Sequence, residues 1–273
     1  SWELHGKYPN ILKDEIVGKQ ATELFADAQK MLDKIISEKL LEARAVFGIF
    51  EANTVNDDDI TIQNSEFRIQ NYFFRTLRQQ SQKATGKPNL ALADFIAPKE
   101  TGIQDYIGCF CVSTGFGTAE LASKYEKEHD DYNSIMVKAL ADRLAEAFAE
   151  YLHKKVRTEY WGYASEENLS NEDLISEKYK GIRPAPGYPA CPDHLEKLTI
   201  WEVLKVKENI GVELTESLAM WPAASVSGYY FANPEARYFG LGKIKEDQVE
   251  DFAKRKNMNL EEATNWLKTN LAD

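Results

Sequence analysis

Long apolar runs are missing from this 273-residue chain, and no stretch approaches the roughly 18 uncharged residues that a membrane-spanning helix needs. A spanning helix is excluded. Positive charge is also scarce: 33 Lys and Arg against 44 Asp and Glu leave a formal charge of -11, which opposes binding to a polyphosphate backbone. Nucleic acid is not expected as a partner. Only three cysteines occur, Cys109, Cys111 and Cys191, an odd number with no disulfide framework, so reduced thiols and a cytoplasmic setting are expected. The four histidines, His5, His129, His153 and His194, are scattered, and no H-E-x-x-H pair is present. Hydrolytic zinc chemistry therefore has little to stand on. Residues 1–7 carry neither an apolar signal core nor an Arg/Ser-rich transit pattern.

What is present alternates between helix and strand in irregular order. In residues 19–38, Ala21, Leu24, Ala28, Met31 and Ile35 recur every three or four positions, which predicts a one-sided helix. Residues 45–50 and 60–62 predict two strands joined by a turn. The triplet Asp57, Asp58 and Asp59 reads as the solvated tip of that turn, because the glycine and closing glutamate of a calcium loop are missing. Residues 67–82 read as a strand running into a helix, and residues 105–113 as a strand whose Cys109 and Cys111 share one face as small buried side chains. The longest helix is expected over residues 133–160. Before it, Gly115, Phe116 and Gly117 join strand to helix, the setting of a nucleotide-facing glycine loop. The third glycine is absent, and a plain connection is the simpler reading. Capping patterns start short helices at Ser170 and Thr199 and a last one at Asn259, while residues 224–231 and 237–244 read as a hairpin about Asn233 and Pro234. The class is α+β: a single domain with a mainly antiparallel twisted sheet and several helices, one long.

The most unusual stretch is residues 183–192, which holds four of the nine prolines. An arginine on so stiff a segment loses little entropy on gripping a carboxylate, and can hold it through two parallel hydrogen bonds while Tyr188 covers the ligand. Tyr229, Tyr230, Phe231, Tyr238 and Phe239 offer ring faces to a cation, and Asp142 and Glu146 share a helix face. Such a groove suits a zwitterion with an additional positive charge. From composition and spacing, the simpler reading is that Arg183 pairs with a helix carboxylate and the tyrosines pack as ordinary strand residues. Cys191 and His194, beside Asp193, read as a packed thiol and a surface imidazole rather than a nucleophile with its base.

The run YKGIRPAPGYPACP at residues 179–192 resembles the Arg-x-x-x-Gly-Tyr segment in the activation domain of cobalamin-dependent methionine synthase. HDDYN at 129–133, MVKALADRLAEAF at 136–148 and MWPAASVSG at 220–228 are similar to the same family in the same order, so the likeness covers essentially the whole chain. The resemblance implies one activation domain over residues 1–273 that binds S-adenosylmethionine in a shallow groove and presents its methyl to a cobalamin carried by the neighbouring domain. It implies reductive methylation of inactive cob(II)alamin to methylcobalamin, with an electron from a flavodoxin-type donor. The whole enzyme would be a methyltransferase making methionine from homocysteine and methyltetrahydrofolate, its zinc lying in the homocysteine module.

Carried over residue by residue, the resemblance gives Arg183 the ligand carboxylate and places contacts on Ala185, Gly187 and Tyr188. Tyr238 and Phe239 match the family's aromatic pair, with Phe here in place of a second Tyr, and Glu146 matches a polar helix residue near the site. No catalytic acid, base or metal ligand is expected, since a sulfonium methyl is already activated and needs only positioning. The family's Asp-Trp segment, whose aspartate is expected to meet the ligand's amino group, lies upstream of Ser1, so the chain reads as N-terminally truncated.

Overall fold

Strands β1 (Glu42–Val55) and β4 (Asp105–Phe116) pair antiparallel along most of their length and form the centre of the sheet. A computed structural model of the chain describes residues 2–63 and 72–272. On one side β2 (Asp59–Gln63) and β3 (Tyr72–Arg75) follow β1, and on the other β7 (Ser225–Tyr230) pairs with β4, giving the antiparallel order β3-β2-β1-β4-β7. Strands β5 (Glu213–Leu214) and β6 (Met220–Trp221) form a separate ribbon. β4 is buried on both faces, with Cys109 and Cys111 in one apolar cluster and Phe110 and Val112 in another, so it lacks the alternation of a half-exposed strand. Burial pushes all three thiols up, Cys111 to about 12, as expected for packed rather than reactive sulfur.

Helix α1 (Gly18–Glu38) and the hairpin of β1 and β2 match their periodicities. Helices α2 (Thr118–Lys127) and α3 (Asp131–Lys155) follow β4, and α3 continues through a π-helical turn, Val156–Tyr160, so the expected long helix is a composite. Asp130 caps it by accepting from the Asn133 N–H. Ala141, Ala145 and Ala149 are all buried where α3 crosses the sheet. Their small side chains let the helix lie close to β4, and the hydroxyl of Thr114 donates to the Ala141 carbonyl at 2.8 Å. The opposite face of the sheet is covered by α5 (Glu196–Leu204) and α6 (Val206–Ile210), through Ile200, Val203 and Val206. Helix α4 (Asn171–Ile175) is capped by Ser170, and α8 (Leu260–Leu267) by Asn259, which accepts from the Glu262 N–H. With α7 (Glu246–Lys256), α8 carries a small cluster of its own around Phe252. The α+β expectation holds. No helix among the described residues is long and apolar enough to cross a membrane.

Four local expectations fail for physical reasons. Residues 76–82 form no α-helix, because Arg78 pairs with Asp58 and Asp94 and Gln79 reaches the Gly240 carbonyl. Side chains, rather than an i to i-4 ladder, hold that segment. The portion of that reading on residues 67–71 lies outside the described residues. Asp59 is not solvated: it is buried between Arg75 and Arg255, at 3.3 and 2.6 Å. Thr199 is no cap, since α5 starts at Glu196 and ends where Lys205 turns left-handed. Residues 237–244 form no strand with β7, whose partner is β4; they cross the surface instead, with the Leu241 N–H donating to the Pro189 carbonyl at 2.7 Å.

Candidate functional site

The proline-rich segment enters as a partial sheet edge. Ile182 exchanges two backbone hydrogen bonds of 3.0 Å with Phe231, and the Tyr229 N–H donates to the Pro184 carbonyl at 2.9 Å. Proline's missing N–H costs nothing there, because only its carbonyl is used. Gly228 permits the approach: a Cβ at that position would sit 2.4 Å from the Pro184 oxygen. The chain then turns back, with the Gly187 N–H donating to the Cys191 carbonyl at 2.7 Å. Gly187 has a φ of +94°, and a Cβ there would lie 2.2 Å from the His194 ring, so its conformation and the imidazole packed upon it both require glycine.

Between this segment, α3 and residues 238–240 lies a cavity of 580 Å³. Glu146, Arg183, Ala185, Tyr188, Tyr238 and Phe239 all line it. Of the seven expected site residues, Gly187 alone does not; it shapes the turn. Glu177 and Val226 also line the cavity, and neither had a signal in the sequence. Glu177 takes a left-handed φ of 55° just after α4, which turns the chain toward Arg183.

Arg183 is held at both ends. Its backbone N–H donates to the Tyr238 hydroxyl at 3.0 Å, and that hydroxyl lies 3.0 Å from the hydroxyl of Tyr179. Its Nη2 donates to Glu150 Oε2 at 3.2 Å. The buried Nε–H has no acceptor. Arg183 thus pairs with a helix carboxylate and also borders the cavity. The aromatics divide. Tyr229, Tyr230 and Phe231 are core residues, 2, 0 and 1% exposed, which removes them from the groove and leaves Tyr238 and Phe239 there.

Behind the cavity, the ring of His153 stacks on Tyr230 with centroids 5.1 Å apart. Burial, reinforced by the Arg157 and Arg183 charges, holds its pKa well below the ordinary histidine range. Asp142, although one turn from Glu146, lines a different cleft of 360 Å³ with Gly115, Gly117, Lys138 and Trp221. There the glycines serve packing: a Cβ on Gly115 would meet Pro222 at 2.4 Å, and one on Gly117 the Leu40 carbonyl at 2.5 Å. Cys191 Sγ faces the Asp193 carbonyl at 3.9 Å, and His194 lies on Gly187, so these two do not form a nucleophile and base. No cluster of metal-ligating side chains occurs among the described residues.

The family model for the vitamin B12 dependent methionine synthase activation domain matches residues 1–257. The chain belongs to this family. The crystal structure of the MetH reactivation domain bound to AdoHcy is similar at 58% sequence identity with a TM-score of 0.94, over 100% of this chain and 83% of that one. This activation domain carries Arg183, Pro184, Ala185 and Tyr188 of its Arg-x-x-x-Gly-Tyr segment on one wall of the larger of the two clefts described above.

Proposed function

We propose that this activation domain binds S-adenosylmethionine in the cavity beside Arg183, and that it serves the reductive methylation of a cobalamin held by a neighbouring module of methionine synthase. The observation that carries the reading is a guanidinium at the cavity wall, tethered by Glu150 and Tyr238, whose buried Nε–H has no protein acceptor. A carboxylate is the group that best complements a guanidinium so placed. At 580 Å³ the cavity falls within the range typical of sites for ligands of this size. Glu146 and Glu177 bring negative charge to the same walls, complementary to an ammonium and a sulfonium. The AdoHcy held by the MetH reactivation domain is this ligand without its methyl group, which supports the choice of nucleoside.

When bound, S-adenosylmethionine supplies an already activated methyl on sulfur. The protein's part is positioning. Arg183 fixes the amino-acid end, Tyr238 fixes the backbone of Arg183, and the rings of Tyr188 and Phe239 exclude water from one side. No side chain at the cavity has to move a proton. The cobalamin, the flavodoxin-type electron donor and the zinc of homocysteine activation belong to other modules or proteins in this reading, and the setting is the cytoplasm.

Calorimetric titration with S-adenosylmethionine tests the assignment. Arg183→Ala should weaken binding about 10- to 100-fold, the worth of a charge-assisted hydrogen bond to a carboxylate, with circular dichroism unchanged. Unaltered affinity would remove Arg183 from the site.

A further inference from the structure

Helix α3 sets four polar groups on successive turns beneath the cavity: Glu146, Glu150, His153 and Arg157, the last just past its α-helical end. Glu146 lines the cavity, whereas Glu150 and Arg157 stand behind it. Arg157 is 0% exposed and donates through Nε and Nη2 to the two oxygens of Glu167, at 2.9 and 2.7 Å. Its guanidinium also lies over the Tyr179 ring, 4.3 Å from the centroid. This two-pronged pair is the fixed point of the region.

Glu150 connects that fixed point to the cavity. One of its oxygens lies 3.7 Å from Arg157 Nη1, and the other accepts from Arg183 Nη2 at 3.2 Å. The chain of charges Glu167, Arg157, Glu150, Arg183 holds two of each sign and is balanced within itself. We propose that Glu150 is the positioning residue of the site: it holds the Arg183 guanidinium back from the acidic walls of the cavity, so that its remaining donors stay available for a ligand carboxylate.

Other carboxylates compete with Glu150 for Arg183. Glu146 and Glu177 line the same cavity as Arg183. An arginine stem without an anchor regains its rotamers and can turn toward these two carboxylates on the cavity walls. Pairing with either would fill the carboxylate subsite from within and cancel the charge meant for the ligand's cationic end. Glu150, lying outside the cavity lining, occupies one edge of the guanidinium without occupying the subsite. The inference rests on Arg183 binding the ligand carboxylate.

The test separates the two claims by using two ligands on the full chain: S-adenosylmethionine and its decarboxylated analogue, which lacks only the carboxylate. Glu150→Ala should weaken S-adenosylmethionine about tenfold, the cost of a charge-assisted hydrogen bond made less available, while the analogue stays within about twofold. Glu150→Gln, which keeps an acceptor for Arg183 Nη2, should restore most of the loss. Adding Glu150→Ala to Arg183→Ala should cost nothing further, because the two act through one contact. If Glu150→Ala fails to fold, Glu150→Asp reads the same comparison, its shorter arm drawing the carboxylate away from Arg183. Equal weakening of both ligands, or no weakening of S-adenosylmethionine, overturns the role of Glu150. If Arg183→Ala itself treats the two ligands alike, the underlying assignment falls instead.

Discussion

Helix α3 borders two clefts of different character, with Glu146 on the 580 Å³ cavity and Asp142, one turn earlier, on the 360 Å³ cleft at the glycine loop. The larger contains a tethered guanidinium, two carboxylates and three aromatic rings. The smaller is walled by Phe116, Trp221, Pro222 and small residues, with Lys138 set against Glu120 and Asp142. Glycines occur beside both, and in both they permit close approach to other parts of the protein: Gly115 and Gly117 to Pro222 and Leu40, Gly187 and Gly228 to His194 and Pro184. A glycine pattern therefore reports that something comes near, and only the three-dimensional partner says what. What separates the clefts is the buried ionic frame behind the first, which gives one charged group a fixed place at a cavity wall.

Breaking that frame should have the largest effect. Arg157→Met leaves Glu167 and Glu150 without their shared buried partner, and should cost about 3–5 kcal/mol in urea unfolding. A loss below about 1 kcal/mol would place the rigidity of the region elsewhere. Next comes Gly117→Ala, which forces a side chain onto a φ of +93° and against the Leu40 carbonyl. About 2–3 kcal/mol of stability should be lost, with the folded protein binding S-adenosylmethionine within about twofold of the parent. A tenfold loss of affinity would move the site to the smaller cleft.

The smallest effect concerns His153, which burial and two neighbouring guanidinium charges keep neutral. Because the folded pKa is depressed, the unfolded chain takes up a proton near pH 6.5 that the folded chain refuses. This residue's contribution is therefore fully present above that pH and declines as the pH falls toward the depressed value. Between pH 6.5 and 5 it should account for about 1–2 kcal/mol of lost stability, and His153→Phe should flatten the acid slope by that amount. Identical slopes for parent and variant would show that the imidazole charges freely, and that the frame is wetter than its burial implies.

The readable parts of the fold were those with a local signal: α1, the β1 and β2 hairpin and α8 carry an apolar repeat, a turn or a cap, and β4 is rich in strand-forming residues. Residues 76–82 and 237–244 were misread because their partners are remote, as when Gln79 reaches Gly240 across 161 positions. At the site, Arg183 and Tyr188 stood out through the density of proline around them. Ala185, Gly187, Tyr238, Phe239 and Glu146 were placed by likeness to the family. Glu150, Arg157 and Glu177 gave no warning, since a charged side chain reads as solvated until its partner is known.

By itself the sequence determined the helix and strand periods, the stiff arginine-bearing segment and the family. Only the tertiary structure decided which carboxylate meets Arg183, which tyrosines belong to the core and which cleft receives a fixed charge. The physical reason is distance along the chain: Arg183 meets Glu150 across 33 residues and Tyr238 across 55. Contacts of that span form only when helix and sheet have packed, and no periodicity read along one segment encodes them.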